Sequence, residues 1–294
     1  MHWFKLLRLT GALAVLAGVT GALGVTAALG TGVAQGATVS ANWAGYVALP
    51  ATSAGSPFTS VSGTWQQPKA TCSAGRQTYS AVWVGLGGYN TGANALEQIG
   101  ADADCSSSGS ATYKTWYELL PAAPVNLTMK AHPGDEMSAS VTVKGHDVTL
   151  RIRDLTTGGR FTITKRASSV DRSSAEWIVE APSVCVSSDS CQPLALTDFG
   201  DVLFSSATAT ARSHTGAISD PDWSSTALEL QQRAFTGLGV GSATRTTPTR
   251  TLIVATPSAP AATGGAFSVS WQENAIQVEQ PSAGTLPGFG GGPP

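Results

Sequence analysis

The chain has 294 residues, with 17 basic and 19 acidic side chains and a formal net charge of −2. This balance and the lack of a basic cluster argue against a nucleic-acid partner. Charged residues make up only 12% of the chain, against roughly 25% in a typical soluble protein. The composition therefore predicts a surface of Ser, Thr, Gly and Asn, whose polarity depends little on the ionisation of carboxylates.

The first segment of the chain has the pattern of a secretory leader. Lys5 and Arg8 form a short basic region, and a long run of Leu, Ala, Val and Gly follows them. Small residues around Gln35 complete the pattern, which predicts a signal peptide over residues 1–36. An uncleaved membrane anchor is the alternative, because the apolar run approaches the length of a bilayer span. We expect cleavage, secretion to the extracellular space and no stable membrane association afterwards.

Residues 37–277 have the pattern of an all-β domain. Apolar and polar residues alternate from Met137 to Val143 and again from Val148 to Ile152, with a Gly- and Asp-containing turn between the two runs. Period-two alternation punctuated by turns is typical of antiparallel hairpins. Many short strands over this length predict one β-sandwich of two stacked antiparallel sheets. One segment, residues 224–234, is interpreted as a helix.

Four cysteines and a Pro/Gly-rich tail complete the organisation of the chain. An even number of cysteines in an exported protein predicts two disulfides, for which three pairings are possible. We favour the pairs that are nearest in sequence, Cys72 with Cys105 and Cys185 with Cys191. Residues 278–294 have little apolar surface to bury and are expected to be disordered.

The motifs of several enzyme classes are absent from the sequence. It contains no HExxH zinc motif, no GxSxG nucleophile motif and no phosphate-binding P-loop. His132 and His146 fall in predicted turns, where a solvated side chain is more common than a catalytic base. We therefore expect no cofactor and no metal. No exposed apolar pattern requires a partner chain, so a monomer is expected.

Several predicted strands place acidic, amide and aromatic side chains on one face. In residues 175–180, Glu176, Ile178 and Glu180 share a face, because side chains alternate along a strand. If such strands are neighbours in one sheet, the clustered carboxylates should titrate as a coupled set. Glutamates on the solvated face of a surface strand are the simpler alternative. The other residues placed on such faces are Trp83, Gln98, Asp102, Trp116 and Glu118.

Six short motifs carry a resemblance to a known family. They are SANWAGYVA, WVGLGG, LEQIG, TWYELLP, AEWIVEAP and LTDFGDVLF, in this order along residues 40–275. Together they resemble the glutamic peptidases, or eqolisins, which are secreted acid endopeptidases acting on proteins and peptides. The resemblance implies a β-sandwich like that of the concanavalin A-type lectins and glucanases.

The resemblance also implies site residues. The family's catalytic glutamine falls on Gln98 and its catalytic glutamate on Glu176. Gly87 stands where the family usually has Asp, which removes a carboxylate and puts the hydrogen bonding and pH optimum of the site in question. Ile99 stands where the family has Thr, and Glu97 beside the glutamine has no expected role. Positions that support the site or line the substrate cleft fall on Trp83, Asp102, Trp116, Glu118 and Glu180.

A glutamate and a glutamine suit hydrolysis of a peptide bond in acid. A carboxylate can take a proton from water and pass it to the leaving nitrogen. An amide can donate to the oxyanion and stays neutral at every pH. We therefore expect Glu176 to act as general base and then acid, while Gln98 orients the water and stabilises the oxyanion.

Two other functions are compatible with the same kind of sandwich. A glycoside hydrolase could use Glu176 with Glu118 or Glu180 as its carboxylate pair. A non-catalytic carbohydrate-binding module could stack sugar rings on the tryptophans. The fold cannot separate these functions, whereas the ordered set of motifs favours the peptidase.

Overall fold

The computed structural model describes most of the predicted domain. It describes residues 32–34, 36–51, 57–90, 92–187, 190–235 and 248–273, with the backbone alone at 185–187, 190, 234–235 and 248–250. Most of the predicted signal peptide and the whole predicted tail lie outside these ranges. Within them, no helix is long and apolar enough to cross a membrane.

The described residues form 20 strands and no α-helix. The strands are β1 (Thr38–Ser40), β2 (Trp43–Pro50), β3 (Phe58–Gln66), β4 (Ala81–Gly87), β5 (Leu96–Asp102), β6 (Asp104–Cys105), β7 (Ala111–Thr112), β8 (Thr115–Leu119), β9 (Val125–Asn126), β10 (Glu136–Lys144), β11 (Asp147–Asp154), β12 (Arg160–Arg166), β13 (Ala175–Glu180), β14 (Ser183–Ser187), β15 (Ser190–Pro193), β16 (Asp201–Ala211), β17 (His214–Ala217), β18 (Trp223–Phe235), β19 (Pro248–Pro257) and β20 (Phe267–Trp271).

The helix predicted over residues 224–234 is wrong, because this segment lies in strand β18. Ala, Leu, Glu and Gln favour a helix locally, but this preference is weak and tertiary context overrides it. Strand β18 is hydrogen-bonded to β2 on one side and to β19 on the other. β2 pairs with residues 223–228 and β19 with residues 230–235, so backbone groups of this segment find partners on other strands and not within a helix.

The main sheet has 16 strands and folds over on itself. Fourteen of them follow the order β12-β11-β10-β3-β16-β20-β19-β18-β2-β13-β4-β5-β8-β9, while β1 pairs with β18 and β17 pairs with β16. Strands β3 and β10 lie against β4, and β11 lies against β5, so two layers face each other. We call β12, β11, β10, β3 and β16 the first layer, and β2, β13, β4, β5 and β8 the second layer. The all-β prediction is confirmed, although continuous hydrogen bonding joins the two layers that were expected as separate sheets.

The hydrophobic core lies between the two layers. Trp177 and Val179 of β13 point into it, and the Trp177 indole N–H donates to the carbonyl oxygen of Ser62 on β3 at 2.8 Å. Gly63 permits this approach, since an added Cβ would lie 2.9 Å from Cδ1 of Trp177. Ile178 belongs to a second apolar cluster on the opposite face of β13. The second layer therefore carries apolar residues on both faces.

One of the two predicted disulfides is present in the described residues. Cys72 and Cys105 are bonded, with their Cα atoms 5.4 Å apart. Cys185 and Cys191 are directly opposite each other in the β14–β15 hairpin. This register suits the second predicted bond, but the side chain of Cys185 lies outside the description, so that bond stays a prediction.

Candidate active site

Strand register brings the predicted catalytic residues into one row across the second layer. We call this row of Glu176, Gly85, Gln98 and Glu118 the catalytic row. Glu176 on β13 is opposite Gly85 on β4, Gly85 is opposite Gln98 on β5, and Gln98 is opposite Glu118 on β8. Neighbouring strands are about 4.8 Å apart, so Glu176 and Gln98 are separated by one intervening strand. The residue between them on that strand has no side chain.

Gly85 places no side chain of its own between the carboxylate and the amide, and the edge of the Trp83 ring lies over it. A Cβ at this position would lie 2.8 Å from Cζ3 of Trp83 and 3.3 Å from Cβ of Gln98. The first distance is shorter than carbon atoms tolerate, so even alanine would displace the tryptophan ring. This glycine therefore serves the row of polar groups as well as the packing of Trp83.

A short hydrogen bond fixes the amide of Gln98. Its Nε2 donates to Oε2 of Glu118 at 2.6 Å. Gln98 has no solvent exposure, and its Oε1 accepts no hydrogen bond from the described residues. The hydrogen bond to Glu118 fixes the orientation of the amide, with its NH2 group on the Glu118 side. One N–H is used in this bond and the other is available as a donor.

Glu176 is also buried, and the described residues do not satisfy its carboxylate. Its exposed fraction is 0%, and neither carboxylate oxygen accepts a hydrogen bond within the described part of the chain. Burial raises the pKa of Glu176 well above the usual value for a glutamate, and the nearby carboxylates of Asp171 and Glu97 add to the rise. The Ser174 hydroxyl opposes this rise as a hydrogen-bonding neighbour, although the contact falls short of full hydrogen-bond geometry. A buried carboxyl group with a raised pKa is a candidate for chemistry.

Two further rows lie beside the first one on the same face: one contains Trp83 and Trp116, and the next contains Glu180 and Asp102. The Trp83 indole N–H donates to Oε2 of Glu180 at 2.8 Å, and the Trp116 indole N–H donates to Oδ1 of Asp102 at 2.5 Å. Burial raises the pKa of Glu180 to about 8. Burial also raises the pKa of Asp102 well above its usual value, and the Asp104 carboxylate adds to this rise. Both tryptophan rings are thus held in place by carboxyl groups.

A cavity of about 290 Å³ opens next to these two rows. Asp102, Trp116, Glu118 and Glu180 line it, together with Lys114 and residues of the segment after β8. Glu176 and Gln98 do not line it, but Glu118 belongs both to the cavity wall and to the catalytic row. The cavity therefore ends where the amide of Gln98 is held.

Asp171 was missed from the sequence, because it lies in the β12–β13 loop and follows no strand pattern. Its Oδ2 accepts a hydrogen bond from the backbone N–H of Gly88 at 3.0 Å, and its own N–H donates to Oε1 of Glu97 at 3.3 Å. Glu97 is buried on the core side of β5, and burial raises its pKa to about 8. Position 87 carries no carboxylate, as expected from the sequence, but the carboxylate of Asp171 lies at the same place.

One cluster outside this region has the composition of a metal site. Single ligand atoms of His214, Asp220 and Asp222 lie within 4.8 Å of one another. The Nε2 atom of His214 is 2.9 Å from Oδ2 of Asp220, so an ordinary surface ion pair accounts for the contact. His214 is an exposed residue, and nothing connects this cluster to the catalytic row.

Comparison with known proteins decides between the functions that the sequence left open. Residues 41–249 match the model of the Peptidase A4 family. The chain is a member of this family of glutamic peptidases. The resemblance carried by the six motifs is thereby confirmed, and so is the enzyme class, a hydrolase acting on peptide bonds.

Individual relatives of this glutamic peptidase agree with the family match. Aspergillopepsin-2 of Aspergillus niger is 29% identical over 216 residues, which are 66% of this chain and 71% of the relative. A structure of scytalido-glutamic peptidase with a transition state analog inhibitor has a TM-score of 0.60 at 24% identity, covering 80% of this chain and 100% of that chain. The eqolisin SCP-B, in a complex with the tripeptide Ala-Ile-His, has a TM-score of 0.56 at 22% identity with the same coverage. At these identities the structural matches establish the fold.

Proposed function

We propose that the chain is a secreted acid endopeptidase in which Glu176 is the general base and then acid and Gln98 stabilises the oxyanion. The observation that carries the proposal is the row Glu176–Gly85–Gln98. In it a carboxylate and an amide lie on the same face of the sheet, one on each side of a residue with no side chain. Family membership supports the reaction, and the row supports the two residues. The substrates are proteins or peptides, and the enzyme acts as a monomer.

The proposed reaction uses each group once per step. The Glu176 carboxylate takes a proton from water as the water oxygen attacks the peptide carbonyl carbon, and the carbonyl π electrons move to its oxygen. An N–H of Gln98 donates to this oxyanion. Glu176 then protonates the leaving nitrogen, the C–N bond breaks, and the carboxylate is restored.

The second N–H of Gln98 explains why its bond to Glu118 does not prevent catalysis. A primary amide has two N–H bonds, so one can stay on Oε2 of Glu118 while the other donates to the oxyanion. The charge-assisted bond to Glu118 also restricts rotation of the amide. Glu118 is therefore proposed to orient the donor.

The other residues of the outer face are proposed to bind substrate. Gln98 and Glu176 are fully buried, so a peptide can reach them only if the side chains that cover this face move apart. The cavity beside them is proposed to receive a side chain next to the scissile bond, with Trp116 as an apolar wall. Asp102 and Glu180 hold Trp116 and Trp83 for this purpose. No observation favours the pairing of two carboxylates that a glycoside hydrolase needs.

The test is cleavage of an unfolded protein by the secreted chain from strongly acidic to neutral pH. Glu176→Gln should lower kcat about 10²–10⁴-fold, the contribution of a general base. Gln98→Ala should lower kcat about 10²–10³-fold, the effect of losing one oxyanion donor. Glu136→Gln is the matched control, since Glu136 is an exposed residue at the start of β10.

Two outcomes would contradict the proposal. A wild-type chain that is folded but cleaves nothing at any pH would remove the peptidase function. A folded Glu176→Gln variant that is as active as Glu136→Gln would remove the assignment of the base. Circular dichroism on each variant separates loss of catalysis from loss of the fold.

A further inference from the structure

The side chain of Asp171 occupies the space that belongs to position 87 of β4. Gly87 has a φ of +81°, and a Cβ added to it would lie 2.4 Å from Cβ of Asp171 and 2.8 Å from its Cγ. Real carbon atoms do not approach so closely. Any side chain at position 87 and the side chain of Asp171 are therefore mutually exclusive.

Three hydrogen bonds hold Asp171 in this place. Its Oδ2 accepts from the N–H of Gly88 at 3.0 Å, and its Oδ1 accepts from the N–H of Ser173 at 2.9 Å. Its own N–H donates to Oε1 of Glu97 at 3.3 Å. The carboxylate of Asp171 and that of the buried Glu97 are thus parts of one connected unit.

Backbone connections link this unit to the catalytic row at Glu176 and at Gln98. The N–H of Gly87 donates to the carbonyl oxygen of Ser174, two residues before Glu176, at 3.1 Å. Glu97 pairs with Leu86 on β4, and it precedes Gln98 in the catalytic row. The unit is therefore connected to Glu176 through the loop that enters β13, and to Gln98 through β5.

We propose that Asp171 and Glu97 form an acidic support for Glu176, in which Asp171 takes from the β12–β13 loop the place of a side chain at position 87. They act through Glu176 and are positioning residues, not catalytic ones. The kinetic part of this inference rests on the proposed function, whereas the placement itself does not.

The charged groups around Glu176 give the support its expected effect. On its own face Glu176 pairs with Val47 on β2 and with Gly85 on β4, and neither has a titratable group. The carboxylates that raise its pKa, after burial, are those of Asp171 and Glu97. Arg172 lies beside Glu97 and lowers the pKa of that group. Removing the carboxylate of Asp171 should therefore make Glu176 ionise at lower pH, whereas Glu97, with a pKa of about 8, is protonated in acid and adds charge only near or above that pH.

The first test measures the ionisation of Glu176 directly. The side-chain carboxyl resonance of Glu176, assigned with the Glu176→Gln variant, is followed by ¹³C NMR through a pH titration. Asp171→Asn should move its midpoint to lower pH, by of the order of one pH unit, and Glu97→Gln should move it less, because Glu97 is protonated in acid. Asp147→Asn, an exposed group in the β10–β11 turn paired with Arg166, should leave it unchanged. Equal midpoints in all four proteins would overturn the proposal.

The second test exchanges the two positions. Gly87→Asp alone should lower the melting temperature. Its side chain would overlap Asp171, and a residue other than glycine would have to adopt the positive φ of position 87. Gly87→Asp combined with Asp171→Gly removes the overlap with the Asp171 side chain but not with the backbone carbonyl oxygen of residue 171, which would lie 2.7 Å from the added Cβ. The double variant should therefore recover part of the stability lost in Gly87→Asp and titrate closer to wild type than Asp171→Gly alone. The proposal that the two side chains share one position fails on the following result: the double variant is no more stable than Gly87→Asp, and its titration midpoint equals that of Asp171→Gly.

Kinetics then connect the support to catalysis. The acid limb of the kcat/KM profile should move to lower pH in Asp171→Asn and by a smaller amount in Glu97→Gln, while KM at the optimum changes little. If wild type cleaves nothing, the proposed function fails, but the titration and the exchange still decide on the support. If wild type is active and the limb stays in place in both variants, the proposed function stands and the support is wrong.

Discussion

The outer faces of the two layers have the same sequence pattern and opposite environments. In β10 of the first layer, Ser138, Ser140 and Thr142 alternate with core residues and are partly exposed. In β13 of the second layer, Glu176 and Glu180 alternate with core residues in the same way and are fully covered. Alternation thus predicts which face a residue takes, but it does not predict whether water reaches that face.

The second apolar cluster causes this difference. Trp43, Trp83, Leu96 and Ile178 belong to it and lie among the carboxyl groups of the second layer. Removing water from a carboxylate favours its protonated form, so the pKa values on this face rise. The first layer has no such cluster among the described residues, and its polar side chains stay hydrated. Reactivity in this fold therefore depends on covering polar groups with apolar ones.

Among the variants that compare the two layers, the largest effect is expected from filling the gap in the catalytic row. Gly85→Ala should lower kcat/KM about 10²-fold or more, because its methyl group would displace Trp83 and separate Gln98 from Glu176, and misplacement of about 1 Å can cost this much. Gly159→Ala near β12 of the first layer is the matched control, since its added Cβ would have no neighbour closer than 3.5 Å. Steady-state kinetics on both variants compare the layers, and equal activity would contradict the role of the gap.

The next effect is a stability that falls as pH rises. The pKa values of five buried carboxyl groups are raised in the folded state, so between about pH 4 and about pH 8 the folded chain binds more protons than the unfolded chain. The free energy of unfolding should therefore be fully present in acid and decline through this range. The groups are Glu97, Asp102, Asp104, Glu176 and Glu180.

Denaturant unfolding at a series of pH values measures this decline. Glu180→Gln removes one of the titrating groups and should flatten the curve, whereas Asp147→Asn in the first layer should not change it. A stability that rises from acid to neutral pH would show that the carboxyl groups of the second layer are hydrated like those of the first.

A smaller effect concerns the pH dependence of the reaction. Burial raises the pKa of Glu176, so the acid limb of kcat/KM, which reports the free enzyme, should lie above about 4.3, the value of a free glutamate. The loss of stability limits the other side, so the optimum should be mildly acidic. Initial rates across pH, each at a verified folded state, test this, and an acid limb at or below the free value would oppose it.

The smallest effect is expected from a new charge on the first layer. Ser140→Glu places a carboxylate on the open face of β10, opposite Arg151 of β11. A surface substitution of this kind usually changes the free energy of unfolding by at most about 0.5 kcal/mol, and activity should not change. A large loss of stability in thermal unfolding would mean that this face is covered too.

The sequence predicted well which side chains share a face of a strand, because alternation is a local property. It placed Gln98 and Glu176 on polar faces and assigned the all-β class from period-two runs. It could not predict that β13 lies between β2 and β4, because pairing between distant segments leaves no local pattern. Asp171 was missed for the same reason, since its place is defined by a glycine on another strand. The segment 224–234 was misread because its partners, and not its composition, make it a strand.

The position of β13 has a consequence for when the enzyme becomes active. Glu176 pairs with Val47 on one side and Gly85 on the other, so the chain must close long loops before the row exists. Folds dominated by such distant pairings form slowly, because closure entropy is lost before the contacts form. A chain interrupted before residue 180 contains Gln98 and most of the sheet but lacks an intact β13 to carry the base. The proposed pair of Glu176 and Gln98 therefore cannot form before β13 has been made, and this delay follows from the strand order itself.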